Sequence, residues 1–304
     1  MDYSKDNFDC SFHRLAYSYY IMQRVLSLLV IVIFILAIIA LCLAYMLFPP
    51  IGADMLLLPT RSQPGSTPGG ATARTVNNGP IELHGWHFNT TKPLRGTIIY
   101  LHGVSDNKYS SENMAKLFTP LGFDVLAYDS RGHGESGGEF CTYGYYEKED
   151  VALIAQQASS GPLTLIGSSM GAAVAMQAAP LLPNVESIVL LDTFAELNTV
   201  IRDRLPPVIF NHLMKTAVRK AEKRANFSAE EVSPLKVAQT LTIPTLVIHG
   251  AADIETFPSH SKQVYAALKG EKELVLVEGA NHAEAGSKPE TWQTIKKWVL
   301  KYNG

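Results

Sequence analysis

Cysteine is scarce in this chain, and its few cysteines stand far apart. Cys10, Cys42 and Cys141 are too few and too scattered to form a disulfide framework. No pair of cysteines or histidines has the spacing of a zinc site. We therefore expect neither a bound metal ion nor a cofactor.

A surplus of charge of one sign is also lacking. The chain has 26 lysines and arginines against 28 aspartates and glutamates, which gives a net charge of −2. Such a balance creates no overall field that would attract nucleic acid or acidic lipid. We therefore expect no nucleic-acid partner.

One long segment near the N-terminus contains no charge at all. Residues 25–48 read VLSLLVIVIFILAIIALCLAYMLF, and Ser27 is the only clearly polar residue among them. As a helix this segment is about 36 Å long, enough to cross a hydrocarbon core of about 30 Å. It is too long for the apolar region of a signal peptide and too uniformly apolar for a soluble core helix. The sequence therefore predicts a bilayer-spanning helix at 25–48, preceded by a tail of residues 1–24 and ended by Pro49 and Pro50.

Positive charges near the predicted span indicate its orientation. Lys5, Arg14 and Arg24 precede it, whereas only Arg61 follows it within the next twenty residues. Because cytoplasmic flanks carry the excess of lysine and arginine, the N-terminus is expected in the cytoplasm. The rest of the chain is then expected to be extracytoplasmic.

Residues 49–80 form the next part of the chain. From residue 60 they are rich in Gly, Pro, Ser, Thr and Asn and have no hydrophobic period. This composition is typical of irregular structure, so we predict a linker over 49–80.

From residue 81 to 304, short apolar runs alternate with amphipathic stretches. Strands are predicted at 81–88, 97–102, 123–129, 163–168, 187–193, 245–250 and 273–278. Helices are predicted near 111–121, 145–158, 170–181, 257–268 and 288–302. The central runs are too apolar for a half-exposed sheet, so the pattern predicts an α/β fold with a doubly wound, mostly parallel sheet. In such folds the chemistry lies at the carboxyl ends of the strands.

A G-x-S-x-G motif lies between a predicted strand and a predicted helix. Gly167 closes the strand, Gly171 lies at the start of the helix, and Ser169 stands between them. A nucleophile held in a sharp strand-to-helix turn needs flanking residues without side chains. The motif therefore predicts that Ser169 is a nucleophile.

A serine hydroxyl needs a base that takes its proton and a carboxylate that orients the base. Asp253 and His282 each follow a late strand, in the chain order Ser, acid, His of α/β hydrolases. Asp192, at the end of the preceding strand, is the alternative acid. His249 lies within its strand and is expected to be a buried structural imidazole.

The oxyanion of an acyl-transfer reaction needs two backbone N–H groups. Met170, the residue after the serine, is expected to supply one of them. Val104, in the turn after the strand at 97–102, is expected to supply the other. His102 and Gly103 are expected to shape that turn.

Five motifs in this order resemble the α/β-hydrolase superfamily. They are LHGVSDN (101–107), YDSRGHGESGG (128–138), GSSMG (167–171), HGAAD (249–253) and GANH (279–282). They look like the branch that contains monoglyceride lipases and serine-aminopeptidase-like hydrolases, some of which have an N-terminal membrane helix. The resemblance implies hydrolysis of an ester, thioester or amide through an acyl-enzyme.

The resemblance is incomplete at one position of the nucleophile motif. Many relatives have histidine where this chain has Ser168, so that residue does not support a lipase preference. The stretch from Asp129 to Gly134 is expected to form a structural loop beneath the site.

An insertion of about 194–240 separates two of the predicted strands and has helical periodicity. We predict that it forms a small helical cap over the pocket. Its apolar residues either contact an acyl chain or pack the cap on the body of the domain: Leu197, Val200, Ile201, Val208, Ile209, Phe210 and Leu213.

The sequence thus predicts a membrane-anchored serine hydrolase that cleaves a carboxylic ester or a lipid acyl bond. A serine peptidase that acts on small peptides is the alternative within the same chemistry. A binding module that keeps the fold without catalysis is the alternative from another class, and the intact serine, aspartate, histidine and glycines argue against it.

Overall fold

A computed structural model describes residues 4–63, 65–159, 161–206 and 211–303, with side chains from residue 14 onward. The chain divides into two compact units, Met1–Ile51 and Gly52–Gly304. Helix α1, Ser4–Leu57, forms the first unit and contributes its last residues to the second.

The described part of the first unit is a helix with a long segment that is apolar on all sides. Its most apolar window of 18 residues has a mean hydropathy of 3.5, and none of that window is buried. By length and composition this helix can cross a membrane.

The prediction that Pro49 and Pro50 end the helix was wrong, because α1 continues to Leu57. Each proline removes one hydrogen bond of the helix ladder. Beyond them, Ala53 and Leu57 are buried in an apolar cluster of the second unit. Burial of these side chains stabilises the last turns, and the sequence of the helix alone did not reveal it.

The second unit contains a mostly parallel sheet, as predicted, with eight strands where seven were predicted. The strands are β1 Ala71–Asn78, β2 Ile81–Phe88, β3 Gly96–Leu101, β4 Phe123–Tyr128, β5 Leu163–Ser168, β6 Val185–Leu191, β7 Thr245–Gly250 and β8 Lys272–Val277. Their order in the sheet is β1-β2-β4-β3-β5-β6-β7-β8. The β1–β2 and β2–β4 pairs are antiparallel, and all the other pairs are parallel.

Helices cover both faces of the sheet, and each face has its own apolar cluster. The helices are α2 Glu112–Phe118, α3 Glu147–Ala155, α4 Met170–Ala178, α5 Leu197–Arg204, α6 Asn211–Ala225, α7 Pro234–Ala238, α8 Pro258–Ala267 and α9 Pro289–Tyr302. On β3, Ile98 packs in the cluster that contains α2 and α9, whereas Ile99 packs in the one that contains α3 and α4. Successive side chains of a strand point to opposite faces, so a strand buried on both faces is apolar throughout.

Strand β1 lies within the segment that was predicted to be a linker, so that prediction was wrong for 71–78 as well. It pairs with β2 through a two-residue turn, in which Asn78 opposes Ile81 and Gly79 has a φ of +56°. Because β1 is an edge strand with a mostly exposed middle, it needs no apolar run. The hydrophobic pattern therefore could not reveal it.

The insertion predicted at about 194–240 contains α5, α6 and α7. Leu197 and Val200 of α5 are buried in one cluster with Leu57 of α1 and Ala173 of α4. These apolar residues therefore pack the insertion on the domain. Val208, Ile209 and Phe210 lie outside the described residues.

Candidate active site

Ser169 occupies a sharp turn between β5 and α4. Its φ and ψ are +51° and −113°, a backbone conformation that costs a residue with a side chain about 1–3 kcal/mol. A hydrogen bond from its N–H to the carbonyl of Leu191, 2.8 Å long, joins this turn to the end of β6. The serine hydroxyl is thus placed at the carboxyl edge of the sheet, as the motif predicted.

The two motif glycines make this turn possible. A Cβ at Gly167 would overlap the backbone of Gly171, and a Cβ at Gly171 would overlap the carbonyl of Leu101 on β3. Any larger residue would therefore push α4 away from the sheet. The requirement for glycine at both positions is steric.

His282 lies beside the serine hydroxyl. Its Nε2 is 2.9 Å from Oγ of Ser169, and its Nδ1 is 2.6 Å from Oδ2 of Asp253. An ionised carboxylate can only accept, so the proton of the neutral ring is on Nδ1, and Nε2 accepts from the hydroxyl. The structure therefore brings the three residues singled out by the sequence into one hydrogen-bonded chain.

Asp253 has polar partners on both carboxylate oxygens. Oδ1 accepts from the N–H groups of Glu255 and Thr256 at 2.8 and 2.9 Å. Oδ2 faces Nδ1 of His282 at 2.6 Å and Nε2 of His249 at 3.2 Å. Burial acts to raise the pKa of Asp253, but the hydrogen bonds from the histidines and from Thr256 outweigh it and hold the pKa well below its ordinary value.

His249 is fully buried, as expected, but it also contacts the acid. Its Nε2 lies 2.7 Å from the carbonyl of Thr256, and its Nδ1 lies 2.6 Å from Oγ of Ser261. The ring thus contacts both the loop that carries Asp253 and helix α8. The sequence analysis missed this role, although the four-residue spacing between His249 and Asp253 within HGAAD is a signal that could have suggested it.

Asp192, the alternative acid, does not contact His282 through a hydrogen bond. Its Oδ1 accepts from the N–H of Gly250 at 2.9 Å, and its Oδ2 accepts from the N–H of Ala283 at 3.2 Å. Burial raises the pKa of Asp192 above its ordinary value. The geometry therefore favours Asp253 as the partner of His282.

Asp192, His249 and Asp253 also place three potential metal-ligand atoms within 4.8 Å of one another. Each of these side chains already bonds to backbone groups or to another side chain: Asp192 to Gly250 and Ala283, His249 to Thr256, Asp253 to His282. These hydrogen bonds account for the convergence of the three side chains.

The two residues predicted to supply N–H groups to an oxyanion lie in turns beside the serine. Met170 is the first residue of α4, so its N–H has no acceptor within the helix. Val104 follows Gly103, where an added Cβ would lie 3.6 Å from Cβ of Ser169. The turn after β3 is therefore adjacent to the serine, and the oxyanion role of Val104 and Met170 stays a prediction.

His102 is buried and makes two hydrogen bonds. Its Nε2 accepts from the N–H of Ser130 at 2.9 Å, which leaves the ring proton on Nδ1, 2.7 Å from the carbonyl of Gly103. Burial lowers the pKa of His102, in keeping with a neutral ring. His102 therefore fixes the backbone of the turn, as the sequence suggested.

The loop from Asp129 to Gly134 lies at the end of β4. Asp129 is fully buried and accepts from Nζ of Lys108 at 2.6 Å and from the N–H of Glu135 at 2.9 Å. No hydrogen bond joins Asp129 to Ser169 or His282, both of which are among the described residues. The loop is thus held by a buried ion pair that the sequence analysis did not foresee.

Comparisons with known proteins agree with this fold. The family model of the alpha/beta hydrolase fold matches residues 96–226. The Bacillus subtilis (strain 168) protein YqkD is 33% identical over 231 residues, which cover 73% of this chain and 75% of that protein. The chain belongs to the α/β-hydrolase family.

Two further relatives have names that state an activity. Caffeoylshikimate esterase of Arabidopsis thaliana is 26% identical over 263 residues, 68% of this chain and 78% of that protein. The solved structure of the Pyrococcus furiosus esterase Pf2001 has a TM-score of 0.65 and 22% identity, and the match covers 81% of this chain and 100% of that one. At that identity the structural likeness shows the fold alone. Together with the family, the match to the Arabidopsis esterase supports a hydrolase.

Proposed function

We propose that this chain is a membrane-anchored serine hydrolase that cleaves a carboxylic ester or a lipid acyl bond through an acyl-enzyme. The observation that carries the proposal is the continuous path of hydrogen bonds from Ser169 through His282 to Asp253, 2.9 and 2.6 Å long. A hydroxyl, a base and an ionised acid in this order are what nucleophilic catalysis by serine requires.

In the first half-reaction, Oγ of Ser169 attacks the acyl carbon while Nε2 of His282 takes its proton. A bond forms between Oγ and the carbon, and the carbonyl electron pair moves onto the oxygen. The N–H groups of Val104 and Met170 stabilise that oxyanion. Asp253 keeps the Nδ1 proton in place and stabilises the imidazolium.

The tetrahedral intermediate then collapses and breaks the bond to the leaving group. His282 gives its proton to the departing oxygen, so the alcohol leaves neutral and the acyl group stays on Ser169. Water repeats the sequence: His282 takes its proton, the hydroxide adds to the acyl carbon, and Ser169 leaves with the proton returned to it.

An ester is the substrate class that the relatives favour. Among them are proteins named as esterases, one of them 26% identical over 68% of this chain. Ser168, at the position before the nucleophile, gives no support to a lipase preference. The proposal therefore extends to the bond that is cleaved and leaves the length of the acyl chain open.

The membrane anchor rests on α1. Its apolar window is unburied and carries a mean hydropathy of 3.5, so the helix would expose its side chains to water unless lipid surrounded it. A cleaved signal sequence would share this composition. Extraction of membranes at alkaline pH, with mass spectrometry of the retained chain, separates the two: the anchor requires the intact N-terminus in the pellet.

Labelling with a fluorophosphonate probe tests the nucleophile. The full-length chain in detergent should react covalently, and Ser169→Ala should abolish the reaction. Ser168→Ala is the matched control, because it removes the neighbouring hydroxyl and should keep the label. Absence of label on the wild-type chain, or equal label on Ser169→Ala, would sink the proposal in favour of a binding module without catalysis.

A substrate series then tests the bond. Short and long p-nitrophenyl esters and aminoacyl p-nitroanilides should be compared on the same preparation. We expect kcat/KM to be higher for the esters. A preference for the anilides would instead identify a peptidase acting on small peptides.

Lys5, Arg14 and Arg24 precede the span, against Arg61 after it. We therefore propose that the N-terminus is cytoplasmic and that the second unit, Gly52–Gly304, which we call the catalytic unit, is extracytoplasmic. Protease treatment of sealed vesicles of known orientation tests this. In right-side-out vesicles the catalytic unit should be digested without detergent, and protection there would reverse the orientation.

A further inference from the structure

Asp192 is a buried acid that the proposed mechanism does not use. It lies just past β6, between the ends of β5 and β7, and is only 1% exposed. Its φ is +52°, in the left-handed region. A strained, buried acid next to a reactive centre is retained only when the surrounding contacts stabilise it, and such sites are often functional.

The carboxylate of Asp192 joins two loops that are far apart in sequence. Oδ1 accepts from the N–H of Gly250, three residues before Asp253, and Oδ2 accepts from the N–H of Ala283, directly after His282. The loops also touch at Gly250, where an added Cβ would lie 2.6 Å from the carbonyls of Ala280 and Asn281. One side chain thus fixes the spacing between the loop of the acid and the loop of the base.

Ala283 shows why its loop needs this contact. Its φ is +62°, a region that an alanine occupies at a cost of roughly 1–2 kcal/mol because its Cβ crowds the backbone. The side chain of Ala283 is exposed, so no packing around its methyl group holds it there. The hydrogen bond from its N–H to Asp192 is the contact that acts on this peptide.

That hydrogen bond also acts on the base. The N–H of Ala283 belongs to the same planar peptide unit as the carbonyl of His282. Fixing that unit fixes the ψ angle of His282, and thereby the direction in which its ring leaves the backbone. The distances of 2.9 Å to Ser169 and 2.6 Å to Asp253 depend on that direction.

We propose that Asp192 is a positioning residue, which holds the strained peptide after His282 so that the ring lies between Ser169 and Asp253. It acts on the reaction through the backbone and does not exchange a proton with the substrate. The inference rests on the proposed function, because it concerns the geometry of the same serine, histidine and aspartate.

Asp192→Asn is the first test, because the amide has the same shape but only one accepting oxygen. It can keep one of the two backbone contacts and must lose the other. We expect kcat to fall by about 10- to 100-fold, the scale of a misplaced catalytic group, and KM to change by less than about threefold. The rate of fluorophosphonate labelling should fall with kcat.

Ala283→Gly distinguishes a positioning role of Asp192 from a merely structural one. Glycine adopts a φ of +62° without strain, so it removes the need for the contact. In the Asp192→Asn background it should restore kcat at least about threefold, whereas in the wild-type background it should change kcat by less than about twofold. Such non-additivity is the signature of two residues that act on one another.

Ala283→Val perturbs the same peptide through residue 283 itself and leaves Asp192 intact. A β-branched residue disfavours the left-handed region strongly, and the exposed position has room for it. We expect the same loss of kcat with KM unchanged. This variant keeps the proposal testable if Asp192→Asn does not fold, which thermal unfolding in detergent will show.

The proposal is overturned if Asp192→Asn retains the wild-type kcat, or if its loss is unaffected by Ala283→Gly. A loss as large as that of Asp253→Asn, again without rescue, would instead identify Asp192 as the acid of the site. These outcomes differ from failure of the proposed function, in which the wild-type chain itself neither reacts with the fluorophosphonate nor turns over an ester.

Discussion

Nδ1 of His102 lies 2.7 Å from the carbonyl oxygen of Gly103, the next residue along the chain. That carbonyl and the N–H of Val104 belong to one planar peptide unit and point in opposite directions. A hydrogen bond that fixes the carbonyl therefore also aims the N–H. This links a buried histidine to a proposed oxyanion donor without any direct contact with substrate.

Substitution of His102 should accordingly slow catalysis although Ser169 is unchanged. His102→Leu removes the donor to Gly103, so the Val104 N–H loses its fixed direction. We expect kcat to fall by about 10²-fold, near the cost of losing one oxyanion donor. The measurement is steady-state hydrolysis of a p-nitrophenyl ester. His133→Gln is the matched control, because the ring centroids of His133 and His102 are 5.1 Å apart. This variant should keep kcat within about threefold of the wild type. Equal losses in both variants would contradict the proposal that His102 orients the Val104 N–H.

Asp253→Asn should be more damaging. The asparagine amide can present an N–H₂ group to Nδ1 of His282, which would leave the ring proton on Nε2 and remove the acceptor for the Ser169 hydroxyl. We expect kcat to fall by about 10³- to 10⁴-fold, the scale known for loss of the acid in serine hydrolases. Stopped assays over long times measure such residual rates. Retention of more than a tenth of the wild-type kcat would be incompatible with Asp253 as the acid.

Gly171→Ala should prevent formation of the turn that carries Ser169. The new Cβ would overlap the carbonyl of Leu101, and neither the strand nor the helix can move without losing its packing. We expect little folded protein and no fluorophosphonate labelling. Gly286→Ala is the control, since an added Cβ there meets nothing within 4 Å, and its expression and labelling should match the wild type.

The parts of the fold that the sequence predicted are those with a strong local pattern. Strands such as 163–168 and 245–250 are buried on both faces, so each is a mostly apolar run that indicates a buried strand. The G-x-S-x-G turn was predictable because its glycines are sterically required. Strand β1 at 71–78 was missed because its side chains on an exposed edge have no pattern to show.

Residues that act through contacts across the sheet could not be predicted from their neighbours in sequence. Lys108 is buried against Asp129, 21 residues away, and Asp192 bonds to Gly250 and Ala283. Nothing near Lys108 in the sequence distinguishes it from a solvent-exposed lysine. Such pairings follow from the order of the strands, which only the folded chain defines.

Acid should destabilise the catalytic unit partly through His133. Burial, and to a lesser extent the His102 ring, lowers the pKa of His133 from 6.5 to about 4. Between these values the unfolded chain binds a proton that the folded chain does not, so stability falls as the pH decreases from 6.5 to 4. The full contribution is about 3 kcal/mol. Thermal unfolding in detergent should show a lower Tm at pH 5 than at pH 7, and this difference should be smaller in His133→Gln. An identical difference in that variant would exclude His133 as a source of the acid destabilisation.

The last turn of α1 should contribute to the stability of the catalytic unit. Leu57 is fully buried, and its carbonyl accepts a hydrogen bond from the N–H of Cys141 at 2.9 Å. Leu57→Ala should lower the free energy of unfolding by about 2–5 kcal/mol, because truncation of a buried leucine leaves a cavity that its neighbours fill only partly.

Leu58→Ala is the matched control, since Leu58 is 40% exposed and its truncation should cost less than about 0.5–1 kcal/mol. Urea unfolding of the full chain in detergent, followed by fluorophosphonate labelling of the folded fraction, measures both. Equal midpoints for the two variants would mean that the catalytic unit folds independently of the helix end, and that an active chain could begin after residue 57.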